Sequence, residues 1–383
     1  EYTFPGVTMK AVKNDFNLFK HYGYSQSDID NKINAAWKTI FEGSKDERFY
    51  DNSIDDTGYM IDTGNIDART EGMSYGMMMA LQMNRQDIFN RLWKWSKTYM
   101  FMTEGRQAGY FAWSCALDGK KNAWGAAPDG EEYYIMDLIF ASRLWGDGEG
   151  IFNYSQEAKT LMKRCLHGNL PMWEKKNTYI RFVPGCNFTD PSYHLPHFYE
   201  LYAEFTNDED TDFWKKAAEE SRKFFTICCH PKTGFAPEYS YDDGKPNPYG
   251  PPEGHGDFFS DAYRVAATLG TDALWCGKTP ALSKIAAAQQ AFFVNLKPED
   301  YMTYKIDGTV IDQKALHPVG LLATLAQASL AVWDDPDPVT AANAETFVRR
   351  FWETPLRTGE RRYYDNCLYF FALLALGGRF RVY

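Results

Sequence analysis

A chain of 383 residues, 44% hydrophobic and 16% aromatic, carries enough apolar material to bury a large core, which excludes disorder as its general description. Its net charge of −10 would repel a phosphate backbone, and no run of Lys and Arg offers a nucleic-acid footprint. No stretch reaches the roughly 18 uncharged apolar residues of a membrane span; "LYFFALLALGG" and "VGLLATLAQASLAVW" read as buried helices instead.

Along the chain, apolar residues recur with a helical period and strand-like alternation is scarce. The pattern predicts helices over 25–42, 71–83, 86–100, 129–145, 155–167, 194–205, 211–229, 256–275, 281–295, 318–333, 341–353 and 366–376. Short connectors such as "NRQD" and "GTDALWCGKTP" join the two members of a pair. Long stretches at 101–128, 168–193, 230–255 and 297–316, rich in Gly, Pro, Trp and Tyr, precede the next pair. Loops of that length in a compact chain usually carry function. The alternation makes the first helices of successive pairs parallel, so their N-termini share one end. An all-α closed double ring, forming one domain over residues 1–383, is the simplest packing; an open solenoid is the alternative.

The residues that open those helices are Glu71, Asp129, Tyr193 with His194, Asp257 with Asp261, His317 and Asp365. An acid such as Glu71 at a helix start is ordinarily a water-facing partner for free N–H groups. Several acids converging on one mouth beside aromatic rings have another use. A glycosidic bond breaks when its leaving oxygen is protonated while a nucleophile reaches the anomeric carbon, so two carboxyl groups must flank it. Flat rings hold the apolar faces of sugars, and Trp113, Trp124, Tyr193, Tyr199, Tyr363 and Tyr364 lie on or beside the long loops. Core packing is the competing role for each ring. Asp257 reads as a first-turn acid. His194 and His197 share a metal-like spacing, but Pro196 interrupts the helix that would set the geometry and no third ligand is evident. The sequence therefore calls for no metal and no cofactor. The same cleft without turnover would describe an oligosaccharide-binding protein.

Three blocks give the chain a resemblance to family 8 of the glycoside hydrolases. "TEGMSYGMMMALQMNRQDIFNRLWKW" resembles the family's first catalytic block, which implies Glu71 as the general acid. "APDGEE" resembles its second and places Asp129 as the sugar-positioning carboxylate, although Pro128 and Glu131 depart from the pattern. "FFSDAYRVA" resembles the third and implies Asp261 as the inverting base, with Arg264 beside it. "DPSYHLPHFYEL" and "RRYYDNCLYFFALLAL" follow the family too, so the resemblance spans nearly the whole chain and implies an (α/α)6 barrel. Leu316-His317-Pro318 in "DQKALHPVGLLA" resembles the loop with which the family's reducing-end xylose-releasing exo-oligoxylanases close the product side of the cleft. There the His bonds the terminal sugar. Pro318 also suits the first position of a helix, which gives His317 a plain structural role. An open-cleft endo-acting xylanase or glucanase is the alternative within the family.

A general acid must keep its proton near neutral pH, so burial and neighbours such as Asp129 should raise the Glu71 pKa against the pull of the helix start. Asp261 has the opposite need, met by a water-facing position beside Arg264. The expectation is a monomer acting on xylo-oligosaccharides. The chain begins at Glu1 without an initiator Met, as after removal of a signal peptide, while seven cysteines without a CxxC pair suit a reducing compartment, so cytoplasm and periplasm both fit.

Overall fold

The computed structural model describes residues 2–4, 7–9, 16–250 and 254–383. Thirteen α-helices account for the architecture of this part. A single-turn helix α1 (Leu18–His21) leads into α2 (Gln26–Glu42), α3 (Thr70–Gln82), α4 (Gln86–Trp95), α5 (Pro128–Trp145), α6 (Tyr154–Leu166) and α7 (Pro196–Thr206). These are followed by α8 (Thr211–Cys228), α9 (Arg264–Cys276), α10 (Pro280–Phe293), α11 (Pro318–Gln327), α12 (Pro338–Glu353) and α13 (Arg362–Leu376).

Two kinds of helix sequence build two rings. In α3 every residue except Glu71 is buried, and all of α13 beyond its first residue is buried as well, as helices walled on all sides require. By contrast α8 buries only Trp214, Ala217, Ala218, Ser221, Phe224, Phe225 and Cys228, an i, i+3, i+4 stripe with a charged outer face. The inner ring runs α3–α5–α7–α9–α11–α13 and closes from α13 back to α3. Each inner helix carries an outer one in sequence, except that α13 is covered by α2 from the other end of the chain. The C-terminal tail seals the join. Gln82 Nε2 donates to Arg381 O at 2.8 Å, Arg381 N donates back to Gln82 Oε1 at 2.9 Å, and Trp275 Nε1 donates to Phe380 O at 2.9 Å. The result is the all-α double ring expected.

Helix starts follow local chemistry. Ser25 Oγ accepts from Asp28 N at 3.0 Å, and Pro occupies the first turn of α5, α7, α10, α11 and α12, where its missing N–H costs no hydrogen bond. Boundaries shift where a proline or a strand competes. The helix expected from 194 starts at Pro196, because a residue before proline avoids the helical region; Leu195 sits at φ −124°, ψ 73°. The helix expected over 256–275 starts only at Arg264: Phe258 N donates to Tyr304 O at 2.8 Å, so this segment is extended and Asp257 is not a first-turn acid. The helix over 86–100 ends as α at Trp95 and continues as a π turn over Ser96–Met100.

Four short antiparallel strand pairs supplement the helices among the described residues. Strand β1 (Tyr2–Phe4) pairs with β2 (Val7–Met9), and β3 (Tyr50–Asn52) with β4 (Gly58–Met60). More consequential are β5 (Ala68–Arg69) with β6 (Ser114–Cys115), which brings Trp113 beside the start of α3, and β7 (Met302–Tyr304) with β8 (Val310–Lys314), which delivers the chain to His317.

Candidate active site

Glu71, Asp129, Asp261 and His317 come from four different inner-helix starts, and the ring geometry gathers them at one end. The side chain that joins three of them is Arg264, the first residue of α9. Its Nη1 lies 3.3 Å from Glu71 Oε2 and 3.3 Å from Asp129 Oδ2, and its Nη2 lies 3.5 Å from Asp261 Oδ1. Nη1 also donates to Tyr75 OH at 3.1 Å and Nη2 to Ser192 Oγ at 2.8 Å. One guanidinium thus holds Glu71 on one amino group and Asp261 on the other, with Asp129 sharing the first.

The carboxyl groups differ in their surroundings. Burial pushes the Glu71 carboxyl above the usual carboxylate range and Asp261 adds to the effect, while Arg264 and a 2.8 Å hydrogen bond from Tyr363 OH to Oε1 pull against it. The raised value expected of an acid is present, and the neighbouring carboxylates Asp261 and Asp129 both repel the charged form. Burial takes Asp129 up to about 7, with Arg264 opposing and Glu71 and Asp261 assisting. Asp261 is the more open group, its side chain 28% exposed against 11% for Asp129.

Two lobes of one cleft meet at Arg69, Glu71 and Asp261, which line both. The larger lobe, about 930 Å³, is walled by Trp113, Phe182, Tyr193 and Tyr239 and floored by Asp129 and Arg264. The smaller, about 530 Å³, is lined by Leu316, His317, Arg361, Tyr364 and Asp62 among others. His317 Nδ1 meets Asp365 Oδ2 at 2.8 Å, and Arg357 Nη1 fixes the same oxygen at 2.7 Å and Leu316 O at 2.6 Å. That leaves Nε2 as the ring nitrogen available to the lobe. Tyr364 packs edge-on to His317 at 4.8 Å and donates to Ser260 O at 2.9 Å.

The remaining expectations divide. Tyr193 and Trp113 stand in the cleft, with the Arg264 guanidinium 5.7 Å from the Tyr193 ring and the Arg69 guanidinium 5.1 Å from the Trp113 ring. Trp124 is 62% exposed and lines neither lobe. Tyr199 is a correction: it is fully buried, donates to Glu132 Oε2 at 2.5 Å and packs on Trp173 and Trp214, so it is a core residue and not a sugar platform. Its ring packs toward the outer helix α8, which carries Trp214. Glu131 is wholly buried and also lines neither lobe. His194 holds hydroxyls on both ring nitrogens, Thr189 Oγ1 and Ser221 Oγ at 2.8 Å each, a structural role.

Sequence reasoning passed over Tyr75, Ser192, Asp190 and Glu238. Tyr75 had a signal, since it follows Glu71 by four residues and shares its helix face. Asp190 and Ser192 stand in the family-like block "DPSYHLPHFYEL", which was their only signal; Asp190 is fully buried, Oδ1 accepts from Ser192 N and Oγ, and burial with the Asp261 charge raises it well above the usual range.

The sequence model for glycosyl hydrolases family 8 matches residues 29–377. The chain belongs to that family. Among family 8 proteins, it is 53% identical to the reducing end xylose-releasing exo-oligoxylanase of Halalkalibacterium halodurans, over 96% of this chain and 94% of that protein. It is 50% identical to the reducing-end xylose-releasing exo-oligoxylanase of Paenibacillus barcinonensis, over 96% of each. A crystal structure of a reducing end xylose-releasing exo-oligoxylanase matches with a TM-score of 0.92 at 55% identity, covering 97% of this chain and 96% of that one. The double ring is accordingly the (α/α)6 barrel of family 8.

Proposed function

We propose that this chain is an inverting glycosidase that releases xylose from the reducing end of β-1,4-xylo-oligosaccharides, its barrel acting as a single catalytic domain. One observation carries the reading: Glu71 and Asp261 sit on opposite amino groups of Arg264 where a large lobe meets a small one lined by His317. The oligosaccharide occupies the large lobe, its apolar faces against Trp113 and Tyr193, and its last unit enters the small lobe, where His317 Nε2 meets it. Relatives of about 50% identity carry the same activity in their names.

In the reaction Glu71 gives its proton to the bridging oxygen as the bond from that oxygen to the anomeric carbon breaks. A water on the opposite face forms the new bond to that carbon and passes its proton to Asp261. An inverting pair needs about 6.5–9.5 Å between its carboxyl groups to admit that water, and seating them on the two ends of one guanidinium separates them while balancing their charge. Asp129, on the same amino group as Glu71, is placed to accept from a sugar hydroxyl in the large lobe.

The test is a time course on xylotriose labelled at its reducing end. Early labelled xylose with unlabelled xylobiose, newly formed as the α-anomer, is the expected result. Intact xylotriose with internal shortening of long xylan or glucan would overturn the closed-lobe reading and favour an endo enzyme. Bound xylotriose with no turnover would leave an oligosaccharide-binding protein.

A further inference from the structure

The base in this reading sits on an awkward piece of backbone. Ser260, immediately before Asp261, has φ of 23°, a left-handed value that a serine adopts only under constraint. Asp261 lies in a single 3-10 turn, Ser260–Tyr263, between an extended segment and α9. Something must hold that turn. On one side Tyr364 OH donates to Ser260 O at 2.9 Å. On the other, Glu238 Oε2 accepts the backbone N–H of Asp261 at 3.1 Å.

Glu238 is 3% exposed and is itself held in place. Its N–H donates to Asp257 O at 3.0 Å and Tyr239 N–H donates to His255 O at 2.9 Å, so residues 238–239 run antiparallel to 255–257. Its second oxygen, Oε1, lies 2.7 Å from His255 Nδ1, and the His255 ring stacks on Tyr239 with centroids 4.3 Å apart. Tyr239 is a wall of the large lobe. Burial takes Glu238 up to about 7, and the His255 contact opposes this, as an anion stabilised by a hydrogen-bonded partner requires. Both oxygens of this buried carboxylate are therefore committed, one to the Asp261 N–H and the other to His255, which fixes the direction from which the turn is held.

We propose that Glu238, braced by His255, is a positioning residue for the reaction: it clamps the strained Ser260–Asp261 turn and so aims the Asp261 carboxylate at the attacking water. The inference rests on the reading of Asp261 as the base. Glu238 touches no sugar in this arrangement and acts through Asp261 alone.

A double-mutant cycle with steady-state kinetics on xylotriose tests it. Glu238→Ala should lower kcat by about 10–100-fold, the loss a displaced catalytic group produces, with KM changed by less than about twofold. Glu238→Gln keeps an oxygen for the Asp261 N–H and an amide for His255, and should restore most of kcat. In an Asp261→Asn background, Glu238→Ala should cost less than about a further twofold, because the group it aims is already gone. Should Glu238→Ala not fold, His255→Ala on the half-open side of the pair runs the same cycle with the same criteria. Wild-type kcat in Glu238→Ala, or an equal loss with and without the Asp261 carboxylate, overturns this inference alone. Wild-type turnover in Asp261→Asn overturns the reading of the base, and the inference with it.

Discussion

Glu71 looks at first like any acid opening a helix, and what sets it apart is the company of its two oxygens. Oε2 faces Arg264 and Oε1 accepts from Tyr363, while burial holds the carboxyl above the usual range. The Tyr363 bond favours the charged form, so its loss raises the pKa further. We predict that Tyr363→Phe moves the alkaline limb of the kcat/KM profile up by about one pH unit, since a hydrogen bond to a charged group contributes about 1.5–3 kcal/mol and one unit is about 1.4 kcal/mol. An unmoved limb would detach Tyr363 from the acid. Glu71→Ala and Asp261→Asn should each lower kcat by about 10²–10⁴-fold while calorimetry still detects xylotriose binding. His317→Ala removes the one imidazole in the small lobe, and product chromatography should then show weaker discrimination for the reducing end; an unaltered product pattern counts against the closed lobe.

At the level of elements, the site depends on how closely the inner helices approach. A Cβ on Gly130 would fall inside van der Waals contact of the Thr70 side chain, where the starts of α5 and α3 touch beside Asp129 and Glu71. A Cβ on Gly270 would strike the Gln327 carbonyl, where α9 meets the end of α11 below the mouth. Both Gly130→Ala and Gly270→Ala should cost about 1–3 kcal/mol of stability by overpacking. Only Gly130→Ala should also lower kcat, because it wedges apart the two helix starts that carry the acid and Asp129. Denaturant melts paired with kinetics below the transition separate the two effects, and equal kcat in both variants would refute the distinction.

Over the whole molecule, the barrel buries acids that the reaction does not use. Glu131, Glu132 and Asp137 on α5 are all fully buried, and burial raises each well above its usual range. Neither oxygen of Asp137 has a hydrogen-bond partner among the described residues. A carboxyl whose folded pKa is raised contributes stability that is complete below its unfolded value and is lost as pH rises through the folded one. The melting temperature should therefore fall as pH rises above the usual carboxylate range, where the unfolded chain loses these protons and the folded one keeps them. Asp137→Asn should recover a few degrees at the alkaline end and change little at the acid end; calorimetry that shows no pH-dependent difference between the two proteins would exclude Asp137 as a source.

The amino-acid sequence by itself determined the helix pairs and their shared mouth, while closure of the ring, against an open solenoid, was decided by the packing of α13 on α3. Helical periodicity, the alternation of short and long connections, and Pro at helix starts are local properties, and together they point to parallel inner helices that open at one end. It also named Glu71, Asp129, Asp261, Arg264 and His317 as a group, because motif blocks survive as contiguous strings. Only the tertiary structure decided which rings face the cleft. Tyr193 and Tyr199 lie six residues apart on the same segment, yet one walls the large lobe and the other is sealed against Trp173 and Trp214. Helix 256–275 lost its first turns to a pairing with Tyr304, forty-odd residues away in sequence, which periodicity does not register. Glu238 and His255 reach Asp261 through such a pairing as well. Contacts of that kind depend on loop paths across the barrel mouth, and no local pattern encodes them.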